Sequence, residues 1–266
     1  MTGLAPHVLV VGGGISGLVA AYRLRRRLGA DARITIVDGA PRLGGKLRTV
    51  ELAGEPVDVG AEAFIARRPE LFALLDELGL GDQLVHPAGL SPLIWSQGAL
   101  HPLPKNTLMG IPSTAESLTG LVDGPTLARI AGERGVPLEW IPGSDTSVAA
   151  LVGDRFGTQV VQRSVDPLLG GVYSGLADTI GVRAALPTLA EALDRGAPNL
   201  SAAVEEALPP PVAGPLFGTL RDGYGVLLDA LTAAASAEVV HADAYGLRRE
   251  GSGWWADPVG AADGVV

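Results

Sequence analysis

The sequence predicts an α/β fold: a Rossmann-like nucleotide-binding domain, interrupted by an inserted α+β domain and incomplete at its C-terminal end. Three observations predict it. An apolar run, a glycine turn, a helical segment and a second apolar run follow one another over residues 8–37. The stretch from 113 to about 215 has helical spacing and a composition of its own, and short strands resume beyond 238. The boundaries expected are 1–85 for the first part of the nucleotide domain, 86–215 for the insertion, and 216–266 for the return.

The first part opens on Val8-Leu9-Val10-Val11, then Gly12-Gly13-Gly14-Ile15-Ser16-Gly17, a helical segment from Leu18 to about Leu28, and Ile34-Thr35-Ile36-Val37 ending in Asp38. This is the fingerprint of an FAD/NAD(P)-binding βαβ unit, in which each residue type has a mechanical duty. Gly12 permits a tight turn off the strand, Gly14 leaves room for a pyrophosphate, and Gly17 lets the helix lie close to the sheet. Asp38, about 20 residues past the last glycine, is placed to accept hydrogen bonds from ribose hydroxyls. The free N–H groups at the positive end of the helix face the diphosphate. Glycine turns arise by composition in a chain with 37 glycines, so the weight lies on the order strand, turn, helix, strand, acid.

Pro41-Arg42-Leu43-Gly44-Gly45-Lys46-Leu47-Arg48-Thr49 then puts two glycines and cations just past the acid. Arg42 offers a planar fork to a diphosphate, and Gly44 and Gly45 let backbone come close to it. In isolation an ordinary hairpin turn would use the same two glycines. Val57-Asp58-Val59-Gly60-Ala61-Glu62-Ala63-Phe64 supplies a small-residue turn able to meet an isoalloxazine ring. The order strand, GxGxxG, acid, RxGG, DxGA resembles the flavin-containing amine oxidase superfamily and separates FAD from NAD.

Residues 69–80 show apolar side chains at helical spacing, with Pro69 in the first turn and a stop at Gly79. Ile94 to Leu100 reads as a hairpin turning at Gln97-Gly98. The Pro/Met/Leu-rich segment after it suits the wall of an apolar pocket, a shallow membrane contact or a rigid surface loop. Ser147 to Gly157 reads as a helix with a capping serine and a glycine exit. A second helix, Gln159 to Asp166, leads into Pro167-Leu168-Leu169-Gly170-Gly171-Val172-Tyr173-Ser174-Gly175, where adjacent glycines admit either a flat ligand or a crossing helix. Phe217 to Gly225 reads as a loop entering a helix that runs to Ala234. Strands follow at 238–240, 244–249 and Trp254-Trp255, and Ala262 to Val266 reads as the opening of a buried strand.

A chain of 266 residues buries a sizeable core as one or two domains. Its net charge of −9 argues against nucleic acid as a partner and against a polybasic membrane patch. With no cysteine, disulfides, thiolate metal sites and cysteinyl-linked flavin are excluded. His7, His86, His101 and His241 lie far apart and make no metal-ligand pattern, so no metal is expected. No apolar run reaches the length of about 18 residues that a spanning helix needs. The expected location is cytoplasmic.

Over residues 10–49, 57–69, 98–112 and above all 147–187, with Arg155-Phe156-Gly157 and the Asp166 to Gly175 stretch, the chain resembles the porphyrinogen oxidases of haem synthesis. Its GC-rich character resembles their actinobacterial branch, which acts on coproporphyrinogen III rather than protoporphyrinogen IX. The resemblance implies an FAD enzyme that oxidises a porphyrinogen with O2 as acceptor and releases H2O2, the substrate losing six electrons in three two-electron steps. It implies no obligatory catalytic side chain, because the cofactor carries the hard chemistry. It assigns FAD contacts to Gly12, Gly13, Gly14, Ile15, Ser16, Gly17, Asp38, Gly39, Arg42, Gly44, Gly45, Lys46, Gly60, Ala61, Glu62, Ala63 and Ala244, and the tetrapyrrole pocket to Gly170, Gly171 and Val172. Propionate anchors would come from Lys105, Arg129, Arg155 and Arg183, unranked. It admits at most a peripheral membrane contact and leaves a homodimer open.

Two departures stand out. Animal and plant members carry an arginine where this chain reads Ser91-Pro92-Leu93, and members of the family are longer, so a fragment lacking a second FAD contact is expected. Two other readings remain: another flavin oxidase acting on an amine or a carotenoid, and a truncated nucleotide-binding fragment without catalysis.

Overall fold

A computed structural model describes residues 5–210 and 214–266; residues 1–4 of the expected nucleotide domain and 211–213 of the expected insertion lie outside them. The chain forms two compact units, one made of Met1–Ala88 and Gly214–Val266, the other of Gly89–Ala213.

The first unit begins with β1 (His7–Val11), α1 (Ile15–Leu28) and β2 (Arg33–Val37), with β1 and β2 parallel and Val8 opposite Ile34. Helix α1 ends at Gly29, whose φ is 85° and whose N–H bonds the Arg25 carbonyl, and Arg25, Arg26 and Arg27 in its last turn suit the negative end of the helix dipole. A hairpin follows, β3 (Thr49–Leu52) and β4 (Glu55–Asp58), turning at Ala53 and Gly54, both with positive φ. Then come β5 (Phe64–Ile65), α2 (Pro69–Glu77) and β6 (Leu84–Val85).

In the second unit β7 (Leu93–Ser96) and β8 (Ala99–Pro102) form the hairpin expected at Gln97-Gly98, and β9 (Thr107–Leu108) pairs with β10 (Ile111–Pro112). The rest is helical: α3 (Gly124–Gly132), α4 (Val148–Phe156), α5 (Thr158–Val160), α6 (Asp166–Tyr173), α7 (Val182–Ala185), α8 (Pro187–Asp194) and α9 (Leu200–Ala207). Ser147 caps α4 by accepting from the Ala150 N–H at 3.1 Å. One expectation is corrected here. The second helix does not stop at Asp166, because a π-turn over Val161–Val165 hands it on to α6. Pro167 follows closely on the π-turn, and the helix carries through Gly170, Gly171 and Val172.

The chain then returns to the first unit with β11 (Phe217–Leu220), α10 (Gly225–Ala235), β12 (Glu238–Val240), β13 (Tyr245–Glu250), β14 (Gly253–Asp257), β15 (Gly260–Ala262) and β16 (Gly264–Val265). Phe217–Leu220 was expected as loop, but it is a strand, held between β5 and β6 by antiparallel pairing of Phe217 with Ile65 and of Thr219 with Val85. The central sheet is parallel, in the order β12-β2-β1-β16. Alternation sorts its side chains. Val10, Ile34 and Ile36 pack with Leu18, Leu227 and Leu231 of α1 and α10, whereas Leu9 and Val37 pack with Ala256 and Ala262 of the β13-β14-β15 meander. Among the described residues no helix is long and apolar enough to cross a membrane.

The second unit is built around Phe156, Val152, Leu169, Leu189, Leu193 and Leu200, all fully buried, and around one buried charge. The Glu133 carboxylate accepts from the Leu200 N–H at 2.8 Å, the Ser201 N–H at 3.0 Å, the Ser201 hydroxyl at 2.6 Å and Arg155 Nε at 2.9 Å. Burial pushes Glu133 up, but the bonds from Ser201, Leu200 and Arg155 outweigh it and hold the carboxyl below its ordinary range. The side chains of Arg155 and Glu133 are only 8% and 2% exposed, so removing either partner strands a buried charge at a cost of about 3–5 kcal/mol.

We therefore expect Glu133→Gln to lower the melting temperature of the second unit. Because the folded pKa is depressed, the stabilisation is present above the ordinary carboxylate pKa of about 4.3 and fades as pH falls through the lower folded value. The melting temperature of the wild type should fall more steeply toward acid than that of Glu133→Gln, and parallel slopes would show that Glu133 is not ionised in the fold.

Candidate functional site

Three loops of the first unit meet at the carboxyl ends of β1 and β2, and backbone hydrogen bonds join them. The Gly12 N–H donates to the Val37 carbonyl at 2.8 Å, the Gly44 N–H to Gly13 at 2.8 Å, the Ala61 N–H to Lys46 at 3.1 Å and the Val59 N–H to Arg48 at 2.8 Å. The turn after β1, the Arg42–Lys46 loop and the Gly60–Ala63 turn are thus one constellation.

What a Cβ would meet separates the glycines. At Gly17 it would lie 1.9 Å from the Gly12 carbonyl oxygen, at Gly60 2.1 Å from the Lys46 oxygen, and at Gly39 2.0 Å from Asp243 Oδ1. At Gly44, whose φ is 108°, it would lie 2.6 Å from Leu228, and at Gly13 2.3 Å from Leu43. Gly17 and Gly60 meet backbone, and Gly44 adds its positive φ and the Leu47 carbonyl oxygen at 2.9 Å, so these three are required by the packing of the protein itself, whereas at Gly13 and Gly39 the atom met is the end of a side chain. Gly14 differs: its φ of −71° is open to any residue, and a Cβ there would reach only the Gly45 Cα, 4.0 Å away. Gly12 faces open space as well, though its φ of 99° keeps it glycine. Gly14 is the extended cap of α1, whose first N–H groups, from Ile15 to Gly17, have no intrahelical partner.

Asp38 reaches back over this turn. Its Oδ2 accepts from the Gly13 N–H at 2.6 Å and its Oδ1 from the Ala40 N–H at 2.7 Å. Each oxygen keeps acceptor capacity for a further donor. The Arg42 fork is engaged within its own loop. Its Nη1 donates to the Leu43 carbonyl at 3.1 Å and the Leu47 carbonyl at 3.0 Å, and its Nη2 to Gly45 at 3.1 Å, so Arg42 holds its own loop closed by satisfying carbonyls that the glycine turn leaves on one side. Ser16, Lys46, Ala61, Glu62 and Ala63 are exposed, Ile15 is half-buried, and Ala244 is half-buried beside Val37 and Ala256.

Sequence reasoning missed the clip behind the third loop. Asp58 accepts from the Thr49 hydroxyl and, through both oxygens at 3.1 Å, from the Tyr224 N–H, while Thr49 Oγ1 accepts from the Gly225 N–H at 2.7 Å. These bonds tie the Gly60 turn to the start of α10. Burial, with the Asp58 charge beside it, pushes the Tyr224 hydroxyl up to about 12. The local signal was an acid beside a small-residue turn, and its partner at the start of α10 lies 166 positions away.

In the second unit the last turn of α6, Gly171, Val172 and Tyr173, is exposed, while Gly170 is half-buried and Leu169 is buried. A Cβ on Gly171 would meet nothing within 4 Å, so among the described residues no helix crosses there.

With this geometry in view, comparison with known proteins is decisive. The model of the flavin containing amine oxidoreductases matches residues 15–244. The chain belongs to that family. It is 56% identical over 257 residues to the coproporphyrinogen III oxidase of Mycobacterium tuberculosis (strain ATCC 25618 / H37Rv), covering 94% of this chain and 57% of that protein. A candidate protoporphyrinogen oxidase from Exiguobacterium sp. 255-15 superposes with a TM-score of 0.80 at 28% identity, covering 99% of this chain and 59% of that one. Wild-type putrescine oxidase superposes at 0.57 with 22% identity, covering 98% and 57%, a likeness of fold alone. The chain therefore spans a little under three fifths of the length of these relatives.

For this flavin-family chain the glycine sorting makes a paired prediction. Gly14→Ala should leave the unfolding free energy within about 0.5 kcal/mol of wild type while weakening FAD retention about tenfold or more, and Gly17→Ala should lower both. FAD binding unchanged in Gly14→Ala would remove the first turn from the dinucleotide site.

Proposed function

We propose that the protein to which this chain belongs oxidises coproporphyrinogen III to coproporphyrin III in haem synthesis, with FAD as cofactor and O2 as acceptor. The observation that carries the reading is the 56% identity to a coproporphyrinogen III oxidase over nearly the whole chain.

The residues present fit the cofactor. Gly14 leaves its Cα bare at the N-terminus of a 14-residue helix, where N–H groups and the helix dipole favour a diphosphate. Asp38 retains acceptor capacity for ribose hydroxyls, Gly45 and Lys46 border the same turn, and Gly60 to Ala63 present small side chains to the ring system. Bound FAD supplies two-electron oxidation of the substrate. The task of the chain is to bind and orient: the backbone turn holds the diphosphate, Asp38 fixes the ribose, and the exposed last turn of α6, with Gly170, Gly171 and Val172, is offered to the macrocycle. No ionisable side chain has to act as proton carrier in this scheme. An amine or carotenoid oxidase would share the first unit, and the identity within the second unit favours the porphyrinogen reading.

An absorbance scan with and without added FAD, followed by porphyrin fluorescence on adding coproporphyrinogen III in air, tests this on the chain and on the full-length gene product. Flavin absorbance, protein-dependent porphyrin emission and H2O2 release are expected of the full-length protein. Retained flavin with no porphyrin emission from the full-length protein would overturn the substrate, and no flavin would overturn the reading altogether.

A further inference from the structure

The three loops of the candidate site are not fastened alike. The first is set by the approach of Gly17 to Gly12, and the second by Arg42 and by the bond from Gly44 to Gly13. The third, Gly60 to Ala63, is exposed, and main-chain bonds tie its start to Lys46 and Arg48. Two side chains then anchor it to the part of the unit that the chain reaches only after the insertion. Asp58, two residues before the turn, accepts from the Tyr224 N–H through both oxygens, and Thr219 Oγ1 donates to the carbonyl of Glu62, inside the turn, at 2.6 Å.

Helix α10 starts at Tyr224 without a capping side chain of its own. Asp58 and Thr49, paired across β3 and β4, supply the cap from their hairpin, Asp58 on the Tyr224 N–H and Thr49 Oγ1 on the Gly225 N–H. The carboxylate thus faces the positive end of an 11-residue helix, which favours its charge. Gly223 makes room for it: its φ is 75°, and a Cβ there would lie 2.6 Å from Thr49 Cγ2 and 3.0 Å from Asp58 Oδ1. An asparagine at 58 keeps one acceptor oxygen where the carboxylate uses two, and its NH2 finds the Tyr224 N–H, a donor, opposite it. Thr219 stands on β11 between Gly218, paired with Phe64, and Leu220, paired with Leu84, so the strand that carries it is itself held on both sides.

We propose that Asp58 and Thr219 are positioning residues for the flavin ring. They fix where the main chain of Gly60–Ala63 stands, one from α10 and one from β11. The diphosphate and ribose are left to the first turn and Asp38, to which neither anchor bonds among the described residues. Their role rests on the flavin reading of that turn. The cofactor site then has two halves: a nucleotide half carried by the Gly12–Gly17 turn and Asp38, and a ring half completed only when residues 217–225 pack behind it.

Equilibrium titrations of the full-length protein with FAD and with ADP, which lacks the ring, separate the two halves in wild type, Asp58→Asn and Thr219→Val. The expected result is FAD binding weakened about tenfold in Asp58→Asn, which loses a bond to a charged group, and about threefold in Thr219→Val, which loses a neutral one, with ADP binding unchanged in both. The absorbance band of the flavin that still binds should move toward that of free FAD, a change that a general loss of stability does not produce. Thr219→Val guards against misfolding as the cause, because its half-buried side chain is replaced by one of the same shape. FAD and ADP weakened by the same factor, or FAD bound equally by all three proteins, would overturn the positioning role and leave the flavin reading standing. ADP bound by wild type without FAD would sink both.

Discussion

The first unit depends on one contact, the approach of Gly17 to the carbonyl oxygen of Gly12. No side chain fits there, since a Cβ would sit inside the van der Waals envelope of the oxygen. That closeness lets α1 start within one turn of the sheet, aims its unpaired N–H groups past the carboxyl ends of β1 and β2, and leaves Gly13 free to accept from Gly44. The Arg42–Lys46 loop is placed by that bond, and the Gly60 turn is placed in its turn by Lys46. The constellation is assembled from main chain, with side chains such as Arg42 and Asp58 acting as clamps behind it.

The second unit solves a different problem. Its helices are short and several lack side-chain caps, so the chain needs something to fix the start of α9 against the end of α3. Glu133 does this by accepting both orphan N–H groups at the head of α9 and pairing with Arg155 from α4. A charge buried at a helix N-terminus is electrostatically well placed, and it explains why Arg155, which the resemblance offers as an anchor, is held inside the unit.

What was legible in the sequence was local. The βαβ unit, the Gln97-Gly98 hairpin and the Ser147 cap are written in contiguous residues, and the structure contains each of them. What was not legible depends on distant partners or on a shift in helical register. Phe217–Leu220 is too short to announce itself as a strand, and it becomes one only because Ile65 and Val85 flank it. The sequence ends the second helix at Asp166, and the π-turn before Pro167 carries it on through Gly170 and Gly171. At the candidate site the sequence marked the glycine loops but could not tell Gly14, open on the outside, from Gly17 and Gly60, which the fold itself demands. The roles of Asp58 and Glu133 were invisible for the same reason, because their partners come from remote parts of the chain.

The strand order β12-β2-β1-β16 carries a consequence for how the protein is made. Thr35 and Glu238, neighbours across β2 and β12, are 203 positions apart, and His7 and Asp263, beside β1 and β16, are 256 apart. During synthesis the N-terminal βαβ unit therefore leaves the ribosome with both flanks of its sheet unpaired, while the contiguous second unit is able to complete its core first. Exposed parallel edges of this kind are slow to close and prone to wrong pairings. The newborn first unit therefore keeps two open strand edges until residues 238–265 have been made.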